Sequence, residues 1–345
     1  MTEVTGWDIG GAHLKAARVE NGRVVDVVQQ PALIWTDTGA LETALDAALE
    51  RFAAPALHCV TMTGELAELF GDRATGVARL VALVTERLAG KTVRIYAGRA
   101  GFLAPAEAVR RAHDVASANW HASAAWAARA RTEALFVDIG STTTDLIPIA
   151  AHVVAAEGQT DADRLTAGEL VYTGATRTPV MALATRVPFT GRWQTLMGEQ
   201  FATAADVYRI LGLLDEAQDQ LPAIDGRDKS VDASTARLAR MLGRDAQDAA
   251  PWQWREVCHY LRGCQLAALE EAARLVLSRT ELGPDAPVIG CGTGDVLARP
   301  LAGRLSRPYV PFADLVECGD ATRRQWVNAC APSVAVALLG ADANN

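Results

Sequence analysis

Two short motifs in the sequence carry residue types that can hold a phosphate group. The first is Asp8-Ile-Gly-Gly, with Lys15 seven residues after the aspartate. Glycine lets backbone N–H groups converge on an anion without obstruction from a Cβ atom. A carboxylate at a strand end can hold Mg²⁺ directly or through water, and the lysine ammonium is a compact charge suited to phosphate. Taken alone, a tight β-turn with a surface Asp and Lys explains this motif equally well.

The second motif begins in the same way and adds a run of hydroxyl groups. Its residues are Asp138, Ile139, Gly140, Ser141, Thr142, Thr143, Thr144 and Asp145. Hydroxyls beside a glycine turn can donate to phosphate oxygens. Because side chains alternate faces along a strand, the three threonines cannot all face one ligand.

A third motif, Gly290-Cys-Gly292-Thr-Gly294, follows a predicted strand over 287–290 and precedes a predicted helix ending near 305. It resembles a dinucleotide-binding fingerprint only loosely, because it lacks the GxGxxG spacing. A strand-to-helix turn without a ligand is the alternative interpretation.

The elements around the first two motifs repeat. Each Asp-Ile-Gly ends an extended apolar run and opens a hairpin, and the first hairpin turns at Asn21-Gly22, a strong hairpin signal. The two motifs lie 130 residues apart, which indicates internal repetition on the scale of a domain. We therefore predict a first domain over 1–133 and a second over 134–345.

Hydrophobic spacing predicts the other elements. The predicted strands are 57–63 and 92–97, and the predicted helices are 37–52, 76–89, one or two within 105–130, 201–214, 235–242, 253–277 and 321–339. The second half is expected to be mostly helical after Gly174, with a helical insertion at about 200–285. The last helix is expected to pack on the first domain, with a kink near Pro332.

Composition excludes several classes of protein. The chain has 345 residues, half of them apolar and 21% charged, which is typical of a globular protein. The net charge of −8 argues against a general nucleic-acid or anionic-membrane binder. The longest uncharged run, 325–341, contains Pro332 and predicts a buried helix instead of a membrane span.

Cysteine and histidine usage indicates the compartment. The six cysteines form no CxxC pair and the six histidines do not cluster at metal-ligand spacing, so we expect reduced thiols, no zinc site and a cytoplasmic location. The sequence leaves the oligomeric state open.

The order of the three motifs resembles the two phosphate loops and the adenosine loop of the actin/Hsp70/sugar-kinase superfamily, over essentially the whole chain. The resemblance implies an α/β fold with two ribonuclease-H-like domains around a phosphate-binding cleft. Further stretches look like the hydantoinase/oxoprolinase-related branch of that superfamily. They are residues 60–66, 71–77 and 168–179.

Two other stretches, 118–120 and 198–208, are similar to a compact family linked to tetrahydromethanopterin-dependent C1 transfer. Archaeal members of that family are furanylmethanamine synthases of methanofuran biosynthesis. The Arg-rich and Ala-rich composition fits a high-GC bacterium, in which the analogous product would be methylofuran.

The resemblance implies a transferase that depends on Mg²⁺. In the family reaction, the phenol oxygen of a glutamylated tyramine or tyrosine joins the CH₂ of an aminomethylfuran diphosphate, and diphosphate leaves. The implied partners are therefore small-molecule substrates, not nucleic acid or membrane. Binding of ATP is possible but is not expected for this reaction.

The resemblance also implies roles for individual residues. Asp8 and Asp138 would be the metal-side carboxylates, and Asp145 or Glu65 would take the phenol proton. Arg73 and Arg177 would contact substrate carboxylates, although with 30 arginines a structural role for both stays open. The diphosphate donors would be Gly10, Gly11, Lys15, Gly140, Ser141, Thr142, Thr143 and Gly292.

Two other functions use the same loops. One is an ATP-dependent small-molecule kinase or ATPase, in which Gly290–Gly294 would hold adenosine. The other is a non-catalytic nucleotide-binding regulator.

Overall fold

The computed structural model describes residues 2–35, 37–52 and 55–343. The chain divides into two compact units, which we describe separately. Unit 1 comprises Met1–Phe136, Ile149–Ala156 and Val310–Asn345, and unit 2 comprises Val137–Pro148 and Glu157–Tyr309. Two later segments thus belong to unit 1, whereas the sequence analysis placed a single boundary between residues 133 and 134.

The strands are β1 (Glu3–Ile9), β2 (His13–Glu20), β3 (Arg23–Pro31), β4 (Leu57–Met62), β5 (Thr92–Tyr96), β6 (Phe102–Leu103), β7 (Ala134–Ile139), β8 (Thr144–Ala150), β9 (Val153–Val154), β10 (Leu170–Val171), β11 (Arg186–Phe189), β12 (Arg192–Thr195), β13 (Val288–Cys291) and β14 (Tyr309–Pro311). The helices are α1 (Gly39–Phe52), α2 (Arg73–Arg87), α3 (Pro105–Arg110), α4 (Ala112–Val115), α5 (Asn119–Ala130), α6 (Asp161–Ala167), α7 (Val180–Leu183), α8 (Ala204–Leu211), α9 (Val231–Met241), α10 (Pro251–Ser278), α11 (Asp295–Arg304), α12 (Ala321–Ala329) and α13 (Ala331–Asp342).

The sheet of unit 1 has the strand order β3-β2-β1-β4-β5-β6. Strand β1 is antiparallel to β2 and parallel to β4. The β2–β3 hairpin turns at Asn21 and Gly22 with φ of 50° and 80°, as the sequence predicted, because both positions of this turn require positive φ.

The two faces of this sheet are covered by different helices. Trp7 and Ile9 of β1 project to one face, where they join one buried apolar cluster with side chains of α1 and α2. Gly6 lies on the opposite face, and a Cβ atom there would stand only 2.0 Å from Ser333 O. Helix α13 can therefore approach β1 closely only because residue 6 is glycine.

The end of the chain differs from the sequence prediction. A single helix over 321–339 was expected, but α12 ends at Ala329 and α13 begins at Ala331. Proline lacks an N–H group and is favoured in the first turn of a helix. Pro332 therefore marks the start of a second helix instead of a kink within one.

The sheet of unit 2 has the order β10-β8-β7-β13-β14, with β9 paired to β8. In its helical part, α8 packs on α9 and α10. The expectation that everything after Gly174 is mostly helical missed the hairpin of β11 and β12. This hairpin turns at Thr190 and Gly191, both with positive φ, and Thr-Gly is a weaker turn signal than Asn-Gly.

No helix among residues 2–35, 37–52 and 55–343 combines the length and the apolar composition needed to cross a bilayer.

Candidate active site

A row of polar side chains crosses the sheet of unit 1 near the carboxyl end of β1. Asp8 lies opposite Lys15 on β2 and beside Thr61 on β4, and Lys15 lies opposite Gln29 on β3. Residues directly opposite each other on neighbouring strands project to the same face. The sheet therefore places these four side chains on one face, with Asp8, Thr61 and Gln29 buried.

Lys15, which is predicted to bind diphosphate, also forms a hydrogen bond within the protein. Its Nζ donates to the carbonyl oxygen of Ala329 over 2.8 Å, and Ala329 is the last residue of α12. A cation is favourable at a helix carboxyl end, where carbonyl groups lack intrahelical partners. The predicted contact of Lys15 with diphosphate remains a prediction.

Backbone hydrogen bonds from two other segments hold the turn over Gly10–His13, which we call the first turn. Gly10 N donates to His13 O over 3.0 Å, which closes the turn. Ile34 N donates to Gly11 O and Thr63 N donates to Ile9 O. The Gly10 amide is thus used within the turn, and its predicted contact with diphosphate stays a prediction. The site around Gly11 is open, since a Cβ atom there would meet nothing within 4 Å.

Glu65 and Arg73 also belong to unit 1. Glu65 is only 1% exposed, and its Oε1 accepts from Ser117 N at 2.9 Å and from Ser117 Oγ at 3.0 Å. Ser117 has a φ of 52°, so the carboxylate holds a strained backbone position. Arg73 is the first residue of α2 and is half-buried.

The turn over Gly140–Thr143, the second turn, has the same internal hydrogen bond. Gly140 N donates to Thr143 O over 2.9 Å, so this amide too is used within the turn, and its contact with diphosphate stays a prediction. Residues 173–178, which we call the backing segment, hold the second turn through backbone groups. Ala175 N donates to Gly140 O, and the amides of Thr176 and Arg177 both donate to Ser141 O.

Gly174 brings the backing segment unusually close to the second turn. A Cβ atom on Gly174 would lie 2.6 Å from Thr142 N and 2.7 Å from Gly140 O. Any larger residue would therefore displace the turn. Residues 168–179 carry part of the family resemblance, but the sequence does not indicate Gly174 as a site residue. Its role depends on a contact with residues 140–142, which lie more than 30 residues earlier.

A turn over Gly292–Gly294, the glycine turn, lies against the end of β7. Gly292 has a φ of 87°, and a Cβ atom there would lie 2.5 Å from Asp138 Oδ1 and 2.3 Å from Ile139 O. Gly294 N donates to Ile139 O over 2.8 Å. Unit 2 thus brings Asp138, the second turn and Gly292 together.

The glycine turn leads directly into α11, whose first residue is Asp295. The amino end of a helix favours a bound anion. The Thr293 hydroxyl oxygen is buried and has no hydrogen-bond partner within the described part of the chain. A ligand oxygen beside the turn would satisfy this hydroxyl, so Thr293 is a candidate that sequence reasoning missed.

Asp145 follows the second turn in the sequence, and Arg177 belongs to the backing segment. Asp145 forms an ion pair of 2.5 Å with the buried Arg164. Burial raises the pKa of Asp145 above its usual value, although the Arg164 guanidinium acts in the opposite direction. The Arg177 side chain is exposed, and its guanidinium lies 3.4 Å from the Thr142 hydroxyl.

The donor set in unit 2 fits a magnesium ion that is shared with a substrate. No group of three or more His, Cys, Asp or Glu side chains in the described residues is arranged to enclose a metal. Magnesium usually keeps several waters and uses one or two carboxylates together with substrate phosphates. Asp138, with the hydroxyls of Ser141 and Thr142 close by in the sequence, is a donor set of this kind.

The chain matches the model of the hydantoinase/oxoprolinase family over residues 57–312. The chain belongs to this family. A curated relative from Methanocaldococcus jannaschii is 32% identical over 291 residues, which cover 84% of this chain and 86% of the relative. It is named (4-{4-[2-(gamma-L-glutamylamino)ethyl]phenoxymethyl}furan-2-yl)methanamine synthase. A second relative with the same name, from Methanococcus vannielii, is 34% identical over 32% of this chain and 50% of the relative.

A solved structure of nucleotide-free acetone carboxylase is similar in fold, with a TM-score of 0.59 and 10% identity over 97% of this chain and 70% of that chain. The predicted α/β fold of the actin/Hsp70/sugar-kinase type, with two ribonuclease-H-like sheets, is confirmed. The two curated relatives are synthases, which supports an enzyme with a biosynthetic role and small-molecule substrates.

Proposed function

We propose that the protein is an alkyltransferase of methylofuran or methanofuran biosynthesis. It would join the CH₂ group of an aminomethylfuran diphosphate to the phenol oxygen of a glutamylated tyramine or tyrosine. The observation that carries this proposal is the similarity to the M. jannaschii synthase, at 32% identity over 84% of the chain. The name of that relative describes a phenoxymethyl link between a phenol oxygen and a furan ring, together with a γ-glutamylaminoethyl group.

The reaction balances without ATP. The bond between the furan CH₂ and the diphosphate oxygen breaks, and its electron pair leaves with diphosphate. A new bond forms between that carbon and the phenol oxygen, which gives up its proton to a base. An electron-rich furan shares the positive charge that develops on the departing carbon.

The second turn is the part of the chain that best suits the leaving diphosphate. Ser141 and Thr142 supply hydroxyl donors, and the backing segment fixes the turn through three backbone hydrogen bonds. Donors fixed before the reaction stabilise charge that develops on a leaving group without having to reorganise. Thr293 and the amino end of α11 add further donors beside Asp138.

A bound Mg²⁺ would neutralise charge on the leaving diphosphate. Asp138 would hold it in unit 2, and Asp8 is the corresponding carboxylate of unit 1. Asp138 suits this role because it is placed at the end of β7 against the glycine turn.

We assign the phenol proton to Asp145 rather than to Glu65. An unperturbed phenol has a pKa of about 10, so a carboxylate with a raised pKa is the better acceptor near neutral pH. Burial raises the pKa of Asp145, whereas Glu65 is held by the backbone and hydroxyl of Ser117. Arg73 and Arg177 remain the proposed contacts to the glutamyl carboxylate, because Arg binds carboxylate through two parallel hydrogen bonds.

The test is to incubate the protein with Mg²⁺, the aminomethylfuran diphosphate and the glutamylated phenol. The expected result is one equivalent of diphosphate released for each ether formed, without ATP. Mass spectrometry detects the ether, and a coupled phosphate assay detects diphosphate. Tyramine and tyrosine forms of the phenol, with one or more glutamates, are compared as substrates.

A parallel incubation with ATP separates the alternatives. Turnover of ATP on either substrate without ether formation would overturn the proposal in favour of a kinase. Tight binding of ATP without turnover of any substrate would instead favour a nucleotide-binding regulator.

A further inference from the structure

Gln265 makes an unusual set of contacts for a residue in the middle of a long helix. It lies on α10 and is only 1% exposed. Its side-chain Nε2 donates to Thr173 Oγ1 and to Gly174 O, each over 2.9 Å. Its Oε1 accepts from the hydroxyl of Tyr208. The amide thus uses both of its N–H groups and its oxygen.

The orientation of this amide follows from its partners. Gly174 O is a carbonyl and can only accept, so the nitrogen of Gln265 must face it. Tyr208 is buried, and burial raises the pKa of its hydroxyl, which therefore stays protonated and donates. The Gly174 carbonyl therefore excludes the reversed orientation, and the Tyr208 hydroxyl is compatible with the orientation observed.

The atoms that Gln265 holds belong to the backing segment at its closest approach to the second turn. Gly174 lies so near residues 140–142 that a single added carbon would clash. The next three amides of the segment hold Gly140 O and Ser141 O. A shift of Gly174 is therefore transmitted directly to Ser141 and Thr142, because packed backbone has no room to absorb it.

We propose that Gln265 is a positioning residue for the diphosphate site, which acts by fixing Thr173 and Gly174 against the second turn. This inference rests on the proposed function, since it assigns diphosphate to that turn. Gln265 would act through its hydrogen bonds to that segment and not through contact with the substrate.

The first test replaces Gln265 by Leu, which keeps approximate size and removes all three hydrogen bonds. The KM for the furan diphosphate is expected to rise about tenfold or more, because a misplaced binding group weakens a site even when its chemistry is intact. The KM for the phenol is expected to change less than twofold. Binding of inorganic diphosphate with Mg²⁺, measured by calorimetry, is expected to weaken in parallel with the first KM.

Ser234→Ala is the matched control for loss of stability alone. Ser234 is buried in the same helical part of unit 2, and its hydroxyl accepts from Arg209 and Arg237. The hydrogen bond from Arg209 joins α8 to α9, and the hydrogen bond from Arg237 lies within α9. Neither involves the backing segment. The control is expected to lower the thermal midpoint without changing the KM for the furan diphosphate.

Gln265→Glu gives a readout that a purely structural role does not predict. A carboxylate would place a negative oxygen against Gly174 O, whereas its protonated form regains one donor. The affinity of this variant for diphosphate, relative to the original protein, is expected to recover as the pH falls. Tyr208→Phe removes only the hydrogen bond from the Tyr208 hydroxyl to Gln265 Oε1. It is expected to raise the KM for the furan diphosphate by a smaller factor, and it keeps the test usable if Gln265→Leu does not fold.

Hydrogen exchange of the peptide covering residues 138–146 tests the positioning without any substrate. Gln265→Leu is expected to speed exchange in this peptide, and Ser234→Ala is not. If the original protein forms no ether and binds no diphosphate, the proposed function fails, and the diphosphate part of this inference fails with it. If the original protein works but Gln265→Leu leaves both the KM and the exchange unchanged, the inference alone is overturned.

Discussion

The first and second turns are built by the same hydrogen bonds 130 residues apart. In each, the glycine amide donates to the carbonyl three residues later, at Gly10 and at Gly140. In each, the residue before that glycine accepts from the segment that follows a neighbouring strand of the same sheet, through Ile9 O in one and Ile139 O in the other. The backbone of the motif is thus repeated closely.

The side chains of the two turns differ. After the shared Asp-Ile-Gly, the first turn continues with Gly11, Ala12 and His13, and the second with Ser141, Thr142 and Thr143. The segment that holds the first turn includes the buried apolar Ile34, whereas the second turn is held by a segment that carries Thr176 and Arg177. The second turn thus carries hydroxyl and guanidinium side chains that can bind an anion, whereas the first turn carries few such side chains. We therefore assign diphosphate mainly to the second turn.

Replacing each aspartate by asparagine gives the largest expected contrast between the turns. Asp138→Asn is expected to lower kcat/KM about 1,000-fold, because it keeps the shape of the side chain but removes the carboxylate that would hold Mg²⁺ beside the leaving group. Asp8→Asn is expected to cost less, since Asp8 belongs to a buried row with Lys15 and Gln29. Steady-state kinetics with both substrates measures the two losses, and a larger loss for Asp8→Asn would reverse the assignment.

Adding a methyl group to one glycine of each region is expected to give the next largest effect. Gly174→Ala is expected to lower kcat/KM about 100-fold, because a small misplacement of a binding group can cost that much. Gly11→Ala is the control, since a Cβ atom there meets nothing within 4 Å. Circular dichroism checks that both variants fold, and equal activity of the two would contradict the close approach of Gly174.

Converting the second turn to the residues of the first tests the side chains alone. The double variant Ser141→Gly and Thr142→Ala recreates the Asp-Ile-Gly-Gly-Ala sequence of the first turn. The KM for the furan diphosphate is expected to rise at least tenfold, because the variant removes two hydroxyl hydrogen bonds that contribute about 0.5–1.5 kcal/mol each. An unchanged KM would mean that the backbone of the turn, and not its hydroxyls, binds the diphosphate.

The smallest expected effect concerns Lys15, whose position in the first motif corresponds to Asp145 in the second. Lys15→Met is expected to lower the free energy of unfolding by about 1 kcal/mol, because the hydrogen bond from Nζ to Ala329 O is lost. Urea denaturation measures this change. An unaltered midpoint would show that the contact contributes nothing, and a raised KM for the furan diphosphate would add a ligand role for Lys15.

Features that have a local signal in the sequence could be predicted from it. The Asn21-Gly22 hairpin and the placement of Asp8 and Asp138 at strand ends follow from residue type and alternation, and the structure agrees. Gly292 packs closely against Asp138, whereas their predicted shared site stays a prediction.

Features that depend on distant partners could not be predicted. The contact of Glu65 with Ser117 spans 52 residues, and that of Lys15 with Ala329 spans 314. The carbonyl of Gly174 accepts from Gln265, 91 residues later. No local pattern reports such pairings, because they are set by how the chain packs.

The close approach of α13 to Gly6 has a consequence for how the protein is made. The first strand emerges from the ribosome early, but the helix that covers its Gly6 face comes more than 300 residues later. Until that helix arrives, this face of the nascent sheet is exposed to solvent and to other chains. Synthesis that stops before residue 331 would leave the face uncovered, so the sheet is completed only by residues translated much later than β1.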